Sequence, residues 1–179
     1  MKSKAITLPL SKTEAKSLSA GDLCYLSGDV YTLRDAGHMR LISEIKPGAT
    51  LLPYDLSGQI IFYAGPSPAA AGRPFGAIGP TTSSRMDFAA PRLHQLGLVG
   101  TIGKGVRSEE VRQACIEYSS VYFVATGGAA ALLAKHVVAS EVVAYDDLGT
   151  EAMHKITLED FPVFVGIDTK GECIYELDR

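Results

Sequence analysis

Thr81-Thr82-Ser83-Ser84-Arg85 places four hydroxyls and a guanidinium side by side, directly after the Gly79-Pro80 turn and at the head of a segment patterned as a helix. Such a place suits an anion. The first N–H groups of a helix lack partners within it, hydroxyls add donors, and an Arg fork matches a carboxylate or phosphate. One hydroxyl is enough to cap a helix, so four exceed that need, although a capped helix with a solvated Arg85 fits the local pattern too. Gly103-Lys104-Gly105 follows one helix and one strand later and brings a second cation. It is not a P-loop, because position 98 is Leu where that motif needs Gly, and position 105 is Gly where it needs Ser or Thr. Its glycines allow a sharp turn at a strand end, where ligands of open α/β sheets bind, and a plain turn with an exposed Lys accounts for the same residues. Arg34-Asp35 with His38 forms a third group where a strand enters a helix; taken alone it reads as a helix cap with a surface ion pair.

No metal-ligand spacing accompanies these groups. Cys24, Cys115 and Cys173 are far apart, and neither they nor His94, His136 and His154 form a Cys-x-x-Cys or His-x-x-x-His pattern. The cysteines read as buried small hydrophobes in a reducing cytoplasm, and metal binding by this chain alone is not expected. Tyr145-Asp146-Asp147 reads as a turn opening a helix before Leu148-Gly149, and Glu159-Asp160 as a strand-end turn before Phe161-Pro162.

The elements that must position these residues belong to a chain of 179 residues, a length that suits one domain. With 46% hydrophobic and 21% charged residues it is globular in composition. A net charge of -3 and the lack of a Lys/Arg cluster argue against nucleic acid. Met1-Lys2-Ser3-Lys4 is basic, yet no apolar run of signal-peptide length follows, so export is not expected. The apolar stretch from Val121 to Tyr145 is interrupted by Gly127, Gly128, Lys135, His136, Ser140 and Glu141, and so does not read as a membrane span.

A strand over 5–10 and a capping box at Ser11-Lys12-Thr13-Glu14 open the chain. Two strand-like runs, 23–26 and 29–33, flank Ser27-Gly28 as a hairpin would. Asp35 can cap a helix to Lys46, stopped by Pro47-Gly48. A buried strand over 59–64 precedes the long Gly/Pro/Ala loop 65–79. The second half alternates: helix 83–95, strand 98–102, a helix from Ser108, strand 121–125, a helix to Lys135 and strand 141–145. Short strands then follow near 154–159, 162–167 and 172–176, with a turn at Asp168-Thr169-Lys170-Gly171. The predicted class is α/β, a mixed sheet flanked by helices.

Gly79-Pro80-Thr81-Thr82-Ser83-Ser84-Arg85-Met86-Asp87, followed by Gly103-Lys104-Gly105-Val106-Arg107, resembles the iron–sulfur hydro-lyases of the class I fumarase and L-tartrate dehydratase family. The likeness is to their C-terminal domain, a separate β subunit in two-subunit enzymes. It extends through Leu26-Ser27-Gly28, Arg34-Asp35 with His38, Tyr63-Ala64-Gly65-Pro66, Gly127-Gly128-Ala129-Ala130, Tyr145-Asp146-Asp147-Leu148-Gly149 and Asp160-Phe161-Pro162. The resemblance implies a swivelling β/β/α domain. It also implies a [4Fe-4S] cluster held by the cysteines of a partner α subunit, with an open iron acting on the substrate as a Lewis acid, in an assembly of the α2β2 kind. By the same resemblance Arg34, Arg85 and Lys104 are the cations for the carboxylates of a small dicarboxylate substrate. Thr81 and Thr82 are substrate contacts, and Thr81 matches the residue proposed as base, with Lys104 or an Arg making its alkoxide accessible. Ser83 and Ser84 stand where the family has small residues and are expected to bond through backbone or hydroxyl. Asp160-Phe161-Pro162 and 104–107 lie nearer the fumarase branch, which implies hydration of fumarate to malate; a tartrate or related diacid dehydratase is the alternative. A carboxylate-binding module without catalysis is the alternative of another class.

Overall fold

The computed structural model describes residues 3–68, 72, 74 and 76–177. Met1-Lys2 and part of the 65–79 loop lie outside the described residues. Five strands run parallel and side by side in chain order: β1 (Ser3–Thr7), β2 (Leu23–Thr32), β3 (Ile60–Phe62), β4 (Gly100–Gly103) and β5 (Val121–Val124). The last strand of the chain, β7 (Met153–Ile167), runs antiparallel to β5 and also to β2, so β2-β3-β4-β5-β7 close into a ring. β1 extends the sheet from β2, and β6 (Val137–Ala144) extends it from β7. The fold is α/β, with this mixed sheet flanked by helices.

Side chains alternate along the strands as the pleat requires. Ile60 and Phe62 of β3 join a cluster drawn from all five ring strands, including Val30, Ile102, Phe123, Ile156 and Val163. Ile61 and Tyr63 point the other way, into a second cluster with Leu33, Met86 and, from the helical layer, Leu41 and Leu93. That layer contains α2 (Asp35–Glu44), α3 (Ala90–Gln95) and α4 (Glu109–Tyr118). Two short helices complete the chain: α1 (Lys12–Lys16), with its Ser11–Glu14 capping box formed, and α5 (Ala130–Leu133). Among the described residues no helix is long and apolar enough to cross a membrane.

Several expectations are corrected. The two runs around Ser27-Gly28 are not a hairpin but one strand, β2, with a bulge between Leu26 and Gly28. β7 pairs with it on both sides of the bulge. Gly28, at φ +124°, admits Leu8 so closely that a Cβ would stand 2.9 Å from the Leu8 Cβ. The strands expected near 154–159 and 162–167 are likewise one strand, β7, passing through Asp160 at φ +48°. The third of that group, near 172–176, is a single bridge from Ile167 to Cys173 and a 3₁₀ turn over Ile174–Glu176. The helix expected over 83–95 is divided into a 3₁₀ turn, Ser83–Met86, and α3, with Pro91 in the first turn of α3. Pro91 has no N–H to donate and is therefore tolerated only where a helix begins, which fits a new helix starting at Ala90 rather than one continuing from Ser83. Asp35 is the first helical residue of α2 rather than its cap, which is Arg34, and α2 stops at Glu44.

Candidate functional site

Because β2, β3 and β4 are parallel, their carboxyl ends lie on one side of the sheet, and the residues that follow them are neighbours. Arg34 stands just beyond β2, Tyr63-Ala64-Gly65 leave β3, and Lys104 follows β4. The hydroxyl run is threaded between two of these ends. Thr81 N–H donates to the Tyr63 carbonyl at 2.8 Å, Thr82 forms a parallel bridge with Lys104, and Ser83 N–H donates to the Lys104 carbonyl at 2.9 Å. The backbone that places the threonines is therefore a continuation of sheet pairing, which holds them beside Lys104. Gly103 makes the approach possible: a Cβ there would be 1.9 Å from Ser83 Oγ. The Lys104 stem runs past Gly127, where a Cβ would be 3.5 Å from Cδ and 3.9 Å from Nζ.

Both arginines carry a carboxylate of this chain. Arg85 forks onto Asp35, Nε donating to Oδ1 at 2.8 Å and Nη2 to Oδ2, and this pairing holds the Asp35 carboxyl below its usual range. Arg34 Nη2 lies 3.2 Å from Glu151 Oε1, while Oε2 of the same Glu accepts the Ala36 N–H at 2.7 Å at the head of α2. Arg34 Nε is buried with no partner among the described residues, and Gly65 leaves it room, since a Cβ there would be 2.9 Å from it. His38, one turn along α2, is fully buried. Its Nδ1 lies 3.0 Å from the Arg34 carbonyl, which can only accept, so Nδ1 carries the proton. The ring packs edge-on to Tyr63, and burial pushes its pKa down to about 4.

Arg107 occupies the floor behind these loops, its side chain wholly inaccessible. It donates to Asp87 Oδ1 at 2.6 Å, to Thr101 Oγ1 at 3.1 Å and to the Tyr63 hydroxyl at 3.2 Å, between the rings of Tyr63 and Tyr122. Asp87 Oδ2 accepts the Ser108 N–H at 2.6 Å, so one carboxylate ties the end of the hydroxyl segment to the start of α4. The Tyr122 hydroxyl donates to the Gly105 carbonyl at 2.8 Å and lies 3.0 Å from Ser83 Oγ.

The sequence-derived set thus divides. Thr81, Thr82, Arg34, Arg85 and Lys104 gather at one end of the parallel strands, with Thr82 and Arg85 exposed and Thr81, Arg34 and Lys104 half-buried. Ser84 is exposed on the 3₁₀ turn. Ser83 is fully buried against Tyr122 and faces the interior instead of the open side. Sequence reasoning named Tyr63 without giving it a role and missed Tyr122 and Glu151; the polar atoms of all three complete the arrangement. Two sit in apolar strand-like runs, and Glu151 carries no local signal of its partner. The cysteines do not fit an iron–sulfur cluster: Cys24 and Cys115 are buried in different packing clusters, and burial pushes each thiol up to about 11, away from the thiolate a cluster requires.

A family model described as Fumarase C-terminus matches residues 2–177. The chain is 39% identical over 153 residues to "Fumarate hydratase class I, anaerobic" of Escherichia coli, a match covering 84% of this chain and 28% of that protein. It is 38% identical over 173 residues to "Putative L(+)-tartrate dehydratase subunit beta" of Methanocaldococcus jannaschii, covering 93% of this chain and 88% of that one. "L(+)-tartrate dehydratase subunit beta" of Escherichia coli is 34% identical over 173 residues, with 94% and 84% covered. The match thus takes in little more than a quarter of the fumarate hydratase and most of each β subunit.

Proposed function

The chain belongs to the Fumarase C-terminus family, and on that premise we propose that it is the β subunit of a two-subunit hydro-lyase, a fumarate hydratase that interconverts fumarate and malate. The observation that carries this reading is the meeting of Arg34, Lys104 and Thr81–Arg85 at the carboxyl ends of β2–β4. The [4Fe-4S] cluster expected of such enzymes does not suit these cysteines and is assigned to a partner α subunit, in an assembly of the α2β2 kind.

The proton to be removed lies beside a carboxylate and is a poor acid. Negative charge develops on that carboxylate as the proton leaves, and the cations at the strand ends stabilise it in place. Arg34, Arg85 and Lys104 take this role, with Thr82 as a further donor. Ser84 offers a hydroxyl at the rim, and Ser83 acts from behind by holding the loop. Thr81 is the candidate base. A threonine hydroxyl is a weak base on its own, and the neighbouring Lys104 charge favours its alkoxide.

The relatives matched along most of their own length are named as tartrate dehydratase β subunits, which favours L-tartrate dehydratase as a second reading. Co-expression with a candidate cluster-bearing subunit, followed by anaerobic assay on malate, fumarate and tartrate, separates the two. Turnover of malate and fumarate without tartrate supports the fumarase reading, and turnover of tartrate alone replaces it with the second. Binding of a dicarboxylate with no turnover of any in the reconstituted complex overturns both in favour of a binding module.

A further inference from the structure

We propose that Asp35 is a positioning residue for substrate recognition, acting through Arg85; this rests on the reading of Arg85 as a carboxylate cation. A guanidinium is a rigid plane with five N–H donors. Asp35 engages Nε and Nη2 together, a two-point contact that leaves the plane no freedom to swing. Three donors remain, and their direction is set by the fork.

Asp35 is itself well placed to serve as a fixed mount. It is the first residue of α2, directly after Arg34, and Glu151 secures the same helical turn by accepting the Ala36 N–H and pairing with Arg34. Arg85 rides on the 3₁₀ turn that Ser83 anchors to the Lys104 carbonyl. The fork therefore joins the loop that carries Arg34 to the loop that carries the threonines. The Arg85 and Asp35 side chains are 47% and 36% exposed, so solvent screens the pair and holds down its contribution to folding stability. Lys104, by contrast, has no ion-pair partner among the described residues. Of the three cations, two are aimed by carboxylates of this chain and one is uncommitted.

The opposite view treats Asp35 as an internal competitor that occupies Arg85 in place of the substrate. The two differ in sign. In the reconstituted complex, D35N is expected to lower kcat/KM for the dicarboxylate by about 10–100-fold, raising KM and lowering kcat, because Arg85 holds both the substrate carboxylate and the charge that develops on it. In the R85A background D35N is expected to add nothing, because both changes act through one group. D35E, which keeps the charge, is expected to recover part of the loss. An unchanged or lowered KM in D35N alongside an impaired R85A overturns the proposal. So does a D35N loss that persists in full on R85A, or that tracks a fall in Tm. If R85A itself leaves kcat and KM unaltered, it is the carboxylate role of Arg85 that fails, a result distinct from the others.

Discussion

Ser83 and Thr81 are two residues apart and carry the same functional group, yet Ser83 is fully buried and Thr81 only half-buried. Ser83 Oγ, the Tyr122 hydroxyl and the Gly105 carbonyl form a chain under the site. Tyr122→Phe keeps the ring against Arg107 and removes the link. The stranded Ser83 hydroxyl and Gly105 carbonyl are expected to cost about 1–3 kcal/mol in urea unfolding, with a fall in turnover as the Lys104 loop loosens. Gly103→Ala drives a methyl into Ser83 Oγ and is expected to destabilise by about 1–3 kcal/mol, part of which Ser83→Gly in the same chain restores. Thr81→Ala is expected to reduce kcat by about 10²–10⁴-fold in the reconstituted complex at unchanged Tm, the range typical of a lost general base. Full turnover in that variant removes Thr81 from the role.

Local signals at the scale of elements were legible wherever the cause is local. The Ser11 capping box, the apolar runs of β3 and β5, and the Ser108-Glu109-Glu110 start of α4 all fall close to where side-chain type and spacing put them. What escaped depends on partners distant in sequence. β2 is one strand because β7 spans it, and no residue between 23 and 33 announces that. The candidate site was legible in the same measure: its cations and threonines stand out by type, whereas Glu151 and Tyr122 enter it only through residues far along the chain. Asp87 illustrates a tie between elements that type alone does not disclose. Its carboxylate joins the 3₁₀ turn after Thr82 to Arg107 and α4, in a setting where the Arg side chain is fully buried. Asp87→Ala leaves that guanidinium unpaired and is expected to cost about 3–5 kcal/mol in chemical denaturation.

Across the whole molecule, two wholly buried histidines couple stability to pH. His94 Nδ1 lies 3.0 Å from the Leu98 carbonyl, and burial pushes both its pKa and that of His38 down to about 4. The unfolded chain takes up these protons near pH 6.5, the folded chain only near pH 4. Their contribution is therefore complete above about pH 6.5 and is lost as pH falls toward about 4, at roughly 1.4 kcal/mol per unit for each ring at mid-range. Denaturation midpoints are expected to fall steeply between pH 6 and pH 4.5. His94→Asn, whose amide nitrogen stands where Nδ1 does and can donate to the Leu98 carbonyl, is expected to remove about half of the histidine contribution to that slope.

The ring also has a temporal consequence. Leu23 pairs with Phe164, so the strand that closes the barrel leaves the ribosome long after the one it must meet. Until then β2 and β5 each present an open edge toward β7, with apolar residues such as Val30 and Phe123 lacking their cover. Closure on so distant a partner makes for slow folding. During synthesis the nascent chain passes through an interval in which its half-built sheet can join a neighbour's, an interval that chaperones or prompt completion must bridge.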